Sequence, residues 1–340
     1  MLTPAFLQPG DTIAITAPAR KISPEELQIA IEVFESWGLK VHLSPNLFAT
    51  NNQFAGTDEQ RISDLQGLLD DESVKAIISA RGGYGTVRAI DKINFTKFSL
   101  SPKWIIGFSD ITVLHSHIHK HFGIETVHSL MPINFDLTSD DSKRSIEELR
   151  KCLFGENLTY QITGHSLNRN GVSKGVLIGG NLSILYGLQG SSSDIDTNGK
   201  ILFIEDIDEY LYHVDRMMVS LKRSGKLDNL AGLIVGGFTD MRDNVTPFGK
   251  TAEEIISEAV KEYKFPVIFG FPAGHQPLNL PLIFGREVTI EVSDESCLII
   301  NTPAAKKGFK WFKTILKPLL FLVTAFLLLY FIYALVLKSA

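Results

Sequence analysis

At 340 residues the chain has room for two domains or one large one, and 44% hydrophobic with 21% charged residues is the composition of a globular protein. The formal net charge of −5 leaves no basic surface to argue for nucleic acid. The two cysteines, Cys152 and Cys297, have no CxxC or Cys/His neighbour, so they read as buried thiols and not as a zinc site.

The opening "MLTPAFLQPGD" lacks the basic start and apolar run of a secretory signal. "TIAITAPA" (12–19) is a short apolar run ending in proline, a strand signal. Ser23 then suits an N-cap, Pro24 the first helical position and Glu25 and Glu26 the first turn, which predicts a helix to about Trp37, stopped by Gly38. "KVHLSP" is the next strand, residues 57–69 alternate like an amphipathic helix, and "VKAIISA" (74–80), "WIIGF" (104–108) and "IETVHS" (124–129) are further strands. Strands separated by helices imply parallel pairing, so residues 1–140 are expected to form a parallel-sheet α/β domain. Residues 141–170 are polar and weakly patterned, and read as a linker containing the helix "SIEELRKCLFG". From Lys174 the apolar runs are shorter and strand-rich, with one clear helix over 252–262, so a second, β-rich α/β domain is expected over 171–302.

Beyond it, residues 303–317 are basic, and Pro318 to Leu337 is a stretch of 20 residues without a charge. At about 1.5 Å per residue a helix of that length matches the roughly 30 Å hydrocarbon core. The expectation is a single-pass membrane anchor. Lys306, Lys307, Lys310, Lys313 and Lys317 precede the span and only Lys338 follows, which would leave the catalytic part facing the cytoplasm.

Ligands of parallel α/β sheets gather at the carboxyl ends of the strands. One such end is Gly107-Phe108-Ser109-Asp110, where a strand meets a helix. A serine there has the geometry of a nucleophile elbow, although G-x-S-x-G is absent; the alternative is that Ser109 and Asp110 only cap the helix. A serine nucleophile needs a base and an orienting acid. "ILFIEDIDE" puts Glu205 at a strand end, where it could instead pair with Arg216. "GFPAGHQPLN" puts His275 in a loop, where it could be a plain turn residue. "ARGGYG" supplies glycines whose N–H groups can approach an anion, as an oxyanion hole, a phosphate loop or a simple turn. His115, His117, His119 and His121 suggest a metal, but on a helix His115 and His119 share one face while His117 and His121 point elsewhere, and no third ligand joins that face, so a polar or interfacial helix face is favoured.

In order along one chain, "ARGGYGTVR", "IIGFSDIT", "GGNLSIL", "ILFIEDIDE" with "VDRMM", "DNVTPFGKTAEEII" and "GFPAGHQPLN" resemble the LD-carboxypeptidases. That serine peptidase family includes the microcin C self-immunity hydrolases, and the likeness covers nearly all of residues 5–300. The resemblance implies an active site between two domains, a homodimer and no cofactor or metal. By motif it implies Ser109 as nucleophile, Glu205 as orienting acid and His275 as base, with backbone N–H groups of Gly82 or Gly83 and of Asp110 as oxyanion donors. It also implies the substrate: a muropeptide tetrapeptide, cut between its L-configured diamino acid centre and the terminal D-Ala during murein recycling. Arg81 and Arg88 are candidates for the substrate carboxylate, or are surface ion-pair partners. The alternatives are a hydrolase of peptidyl or aminoacyl nucleotide antibiotics, or a membrane-tethered binding protein without catalysis. A membrane tail is not usual in the family.

Overall fold

The computed structural model describes residues 1–303. In chain order it runs β1 (Thr12–Thr16), α1 (Pro24–Ser36), β2 (Lys40–Leu43), α2 (Asp58–Asp70), β3 (Val74–Ser79), α3 (Thr86–Ala89), α4 (Thr96–Leu100), β4 (Trp104–Gly107), α5 (Thr112–Phe122), β5 (Thr126–His128) and α6 (Asp140–Leu153). It continues with β6 (Thr159–Thr163), β7 (Gly171–Asn181), α7 (Leu182–Gly187), β8 (Lys200–Ile207), α8 (Leu211–Arg223), β9 (Gly232–Thr239), α9 (Ala252–Ala259), β10 (Val267–Ile268), β11 (Leu282–Phe284), β12 (Glu287–Val292) and β13 (Ser296–Asn301).

Local chemistry sets the early boundaries as expected. Ser23 and Glu26 form a reciprocal capping box ahead of α1, and Thr57 with Gln60 does the same for α2. The stretch 141–170 is more ordered than its polarity suggests. Ser139 caps α6, Asp140 and Asp141 sit where the helix dipole favours acids, and β6 pairs with β13. Helix α8 has no counterpart in the sequence reading. Its signal was present, because Val214, Met217, Met218 and Leu221 recur at helical spacing and are all buried.

Two sheets organise the chain. The first has the order β11-β5-β4-β3-β1-β2, parallel throughout except for antiparallel β11 at its edge. The second has the order β10-β9-β8-β7-β12-β13-β6; its parallel half runs from β10 to β7 and its other half is antiparallel. One apolar core crosses both, with Trp104 of the first sheet and Phe203 of the second among its fully buried rings. A buried ion pair between Arg286 and Glu125, at 2.6 Å, adds a polar tie between the two halves. Both partners are sequestered, so removing either would strand a charge.

The expected membrane anchor must be corrected. Among the described residues no helix is long and apolar enough to cross a membrane. Helix α6, with 14 residues, is the longest of them. It rises about 21 Å against a hydrocarbon core of roughly 30 Å, and its exposed face is charged. The segment 318–337, like 304–317 before it, lies outside the described residues. The described residues therefore form a two-part α/β fold in which no helix can span a membrane, and the single-pass, cytoplasm-facing localisation has no support among them.

Candidate active site

Strand β4 ends at Gly107, and Ser109 follows in the left-handed region, at φ 62°. For a residue with a side chain that conformation is costly, and such turns cluster at functional sites. Here the turn lies between a buried strand and a short helical turn leading into α5, the setting of a nucleophile elbow. Neither Ser109 nor Asp110 caps α5 through its side chain. The Asp110 carboxylate instead turns toward the glycine loop, where its Oδ2 accepts from the Thr86 N–H at 2.9 Å. Burial pushes the Asp110 carboxyl above its usual range, against the pull of the Thr86 and Gly85 donors.

The glycine loop packs directly against this turn. A Cβ on Gly82 would lie 2.9 Å from Ser109 Cβ and 3.1 Å from its Oγ, so only glycine fits. The N–H groups of Gly82, Gly83 and Asp110 form no backbone hydrogen bond among the described residues. They are unengaged donors beside the serine, as oxyanion stabilisation requires.

Glu205 lies near the carboxyl end of β8 and is fully buried, and its Oε2 accepts from His275 Nδ1 at 2.6 Å and from the His275 backbone N–H at 3.3 Å. This fixes the tautomer: Nδ1 carries the proton and Nε2 is left as the basic atom. Burial alone would depress the imidazole. The Glu205 charge, the hydrogen bond to it and the charge of Asp206 outweigh that burial and hold His275 above its ordinary value. Arg216 takes no part; its guanidinium lies over the Tyr212 ring at 5.2 Å. The histidine loop is held at several points. Thr239 Oγ1 donates to the His275 carbonyl at 2.7 Å, and the Gly274 N–H donates to Asn279 Oδ1 at 3.0 Å. Gly274, at φ 103°, lies so close to Glu205 that a Cβ would come within 2.7 Å of its Oε2.

Phe108, next to the serine, brings the halves together, with its ring centroid 4.7 Å from that of His275. No hydrogen bond joins Ser109 Oγ to His275 here; such bonds often tighten only when substrate is bound. A cavity of about 420 Å³ opens beside them, lined by Phe108, His275, Asn134, Asp136 and Gln276 among others. A larger hollow of about 580 Å³ around Asn198, Asp228 and Tyr263 contains none of these groups.

Two further side chains shape the site: Asp206, which the sequence places with Glu205 at the strand end, and His128, which it does not single out. Asp206 faces away from Glu205 and accepts from Asn181 Nδ2 and from the Ser183 and Ile207 N–H groups at 2.8–2.9 Å. Burial and then the Glu205 charge lift it to about 7. His128, wholly buried, sits among Phe108, Phe203 and Phe284, and burial holds it well below the usual histidine value, hence neutral. Three of the four helical histidines are absorbed locally. His115 bonds the Gly107 carbonyl and Thr126, His117 bonds Ser193, and His121 bonds the Ser192 carbonyl. Arg81 and Arg88 lie near the glycine loop but are already paired. Arg81 reaches Glu26 at 3.8 Å and the Lys21 carbonyl at 3.3 Å; Arg88 grips Asp58 with three bonds of 2.7–3.0 Å.

Comparison with known proteins decides the lineage. Residues 13–129 match the LD-carboxypeptidase N-terminal domain, and residues 174–290 match the LD-carboxypeptidase C-terminal domain. The chain belongs to the LD-carboxypeptidase family. It is 35% identical to a probable murein peptide carboxypeptidase of Bacillus subtilis, over 87% of this chain and 93% of that one. It is 30% identical to the murein tetrapeptide carboxypeptidase of Pseudomonas aeruginosa, over 84% and 94% respectively. The crystal structure of muramoyltetrapeptide carboxypeptidase from Oxalobacter formigenes superposes with a TM-score of 0.77 at 29% identity, covering 85% of this chain and 98% of that one. A microcin C7 self-immunity protein of Escherichia coli is 25% identical over 88% of this chain and 95% of its own length. Within this family the protein is a serine-type carboxypeptidase. The single chain described gives no support to the homodimer that the resemblance implies.

Proposed function

We propose that this LD-carboxypeptidase removes the terminal D-Ala from muropeptide tetrapeptides, cutting after the L-configured centre of the diamino acid, in the service of murein recycling. The observation that carries the mechanism is the 2.6 Å contact between His275 Nδ1 and buried Glu205, with Phe108 seating the imidazole beside the Ser109 turn. In this reading His275 Nε2 takes the Ser109 proton as Oγ attacks the scissile carbonyl. The N–H groups of Asp110 and of Gly82 or Gly83 hold the oxyanion, each worth about 3 kcal/mol. The tetrahedral species collapses, the C–N bond breaks, and the imidazolium gives its proton to the departing D-Ala amine. Water, deprotonated by the same imidazole, then attacks the acyl carbonyl; the ester bond to Ser109 breaks and the imidazolium returns the proton to its Oγ. Glu205 keeps the imidazole in the productive tautomer and balances its charge during each transfer.

The test is incubation of the purified full chain with a free tetrapeptide ending in D-Ala, with chromatography of the products. Release of D-Ala and a tripeptide is expected. Cleavage of an aminoacyl sulfamoyl nucleoside in a parallel reaction, with the tetrapeptide left intact, would favour the microcin-type reading instead.

A further inference from the structure

We infer that Arg20 is the specificity residue that captures the free carboxylate of the leaving D-amino acid. This deepens the carboxypeptidase reading and rests on it. The substrate's terminal carboxylate is only three bonds from the carbon that Ser109 would attack, so its counter-charge must lie near the glycine loop. The neighbourhood is otherwise acidic: Asp110, Glu205 and Asp206 are all buried within the site's framework. An anionic substrate entering there needs a cation.

Four arginines surround the loop. Arg61 is buried, donates to the Gly56 carbonyl at 2.8 Å and pairs with Asp58. Arg88 shares that same Asp58, and both guanidiniums lie over the Phe54 ring. Arg81 is engaged with Glu26 and the Lys21 carbonyl. Arg20 differs. Among the described residues its side chain forms no ion pair, and its hydrogen bonding is confined to the backbone, where its N–H donates to the Gly82 carbonyl at 3.4 Å. It follows β1 at the carboxyl end of the parallel sheet, where ligands of such sheets bind. Its stem lies across the loop: a Cβ on Gly83 would collide with Arg20 Cγ and Cδ. The next glycine back, Gly82, touches Ser109. Arg20 thus lies over one candidate oxyanion donor with its guanidinium uncommitted. A guanidinium fork matches a carboxylate with two parallel hydrogen bonds, which an ammonium cannot do.

The test compares two substrates, the tetrapeptide ending in D-Ala and the same peptide ending in D-alaninamide, with wild type, Arg20→Ala, Arg20→Lys and Lys21→Ala. Arg20→Ala is expected to lower kcat/KM for the acid by about 10- to 100-fold, the span of a lost charged hydrogen bond, chiefly by raising KM. Its kcat/KM for the amide should match wild type, and Arg20→Lys should fall between. Lys21→Ala, the adjacent exposed cation, should keep the wild-type preference. Thermal unfolding of Arg20→Ala at the wild-type temperature would exclude a folding defect. Equal losses on acid and amide, no loss on either, or a lost preference in Lys21→Ala alone would overturn the assignment to Arg20 while leaving the peptidase reading intact. Failure of wild type to release D-Ala from the acid would overturn that reading and this inference together.

Discussion

The two halves of the candidate site are held by different physics. On the first sheet, the serine is positioned by backbone: a left-handed turn at Ser109 and a glycine loop pressed against it leave no space for a methyl group. On the second, His275 and Glu205 are positioned by charge and burial, with a short hydrogen bond inside a loop fixed by Thr239 and Asn279. One half should therefore fail when volume is added, and the other when charge is removed.

Removing the attacking atom sets the upper limit of this contrast. Ser109→Ala should cut turnover by about 10⁶ with unfolding little changed, because a triad serine carries most of the advantage. Persistence of more than a trace of D-Ala release would shift the nucleophile elsewhere. Glu205→Gln should cost about 10⁴-fold in kcat, by releasing the tautomer and losing the balancing charge.

The same variant should move the pH profile. In wild type, kcat/KM should rise with pH through a value above the ordinary histidine pKa of about 6.5, since the base must be neutral to act and the Glu205 charge holds its proton on. In Glu205→Gln burial dominates, and the rise should move to lower pH. The sign for stability runs the other way. With the folded value raised, the His275 pairing stabilises fully below the unfolded histidine value and is lost as pH rises through the folded one. Melting curves across that window, wild type against variant, would expose the difference.

Adding volume tests the other half. Gly82→Ala should lower kcat by about 10²-fold through displacement of Ser109, while the pH profile keeps its wild-type midpoint. A moved midpoint would mean that the halves are not separable. The smallest effect is expected from Arg88→Ala, whose side chain is exposed and spent on Asp58; kcat/KM should change by less than about threefold. A large rise in KM there would return Arg88 to the substrate site.

Much of this was legible because it depends on local rules. Pro24 after Ser23, or an apolar run ending at Gly107, declares an element by itself. Ser109, Glu205 and His275 were legible as strand-end residues, and family motifs joined them. The remainder depended on contacts distant in sequence. No pattern around Arg20 says that its stem crosses Gly83, and none around Arg88 says that Asp58 occupies it. Strand β6 escaped notice because its partner, β13, lies far along the chain. The apolar tail shows the opposite failure: hydropathy and length alone suggested a span that nothing among the described residues carries.

Strand β11 follows His275 by a few residues, yet it zips onto β5 in the first sheet, while β10, just before the loop, belongs to the second. The base therefore rides on a bridge with one abutment in each sheet. Hinged, clamshell-like opening would have to peel β11 from its neighbour and drag the imidazole along. The position of the imidazole is thus tied to the packing of both sheets at once, so a change in either one reaches it.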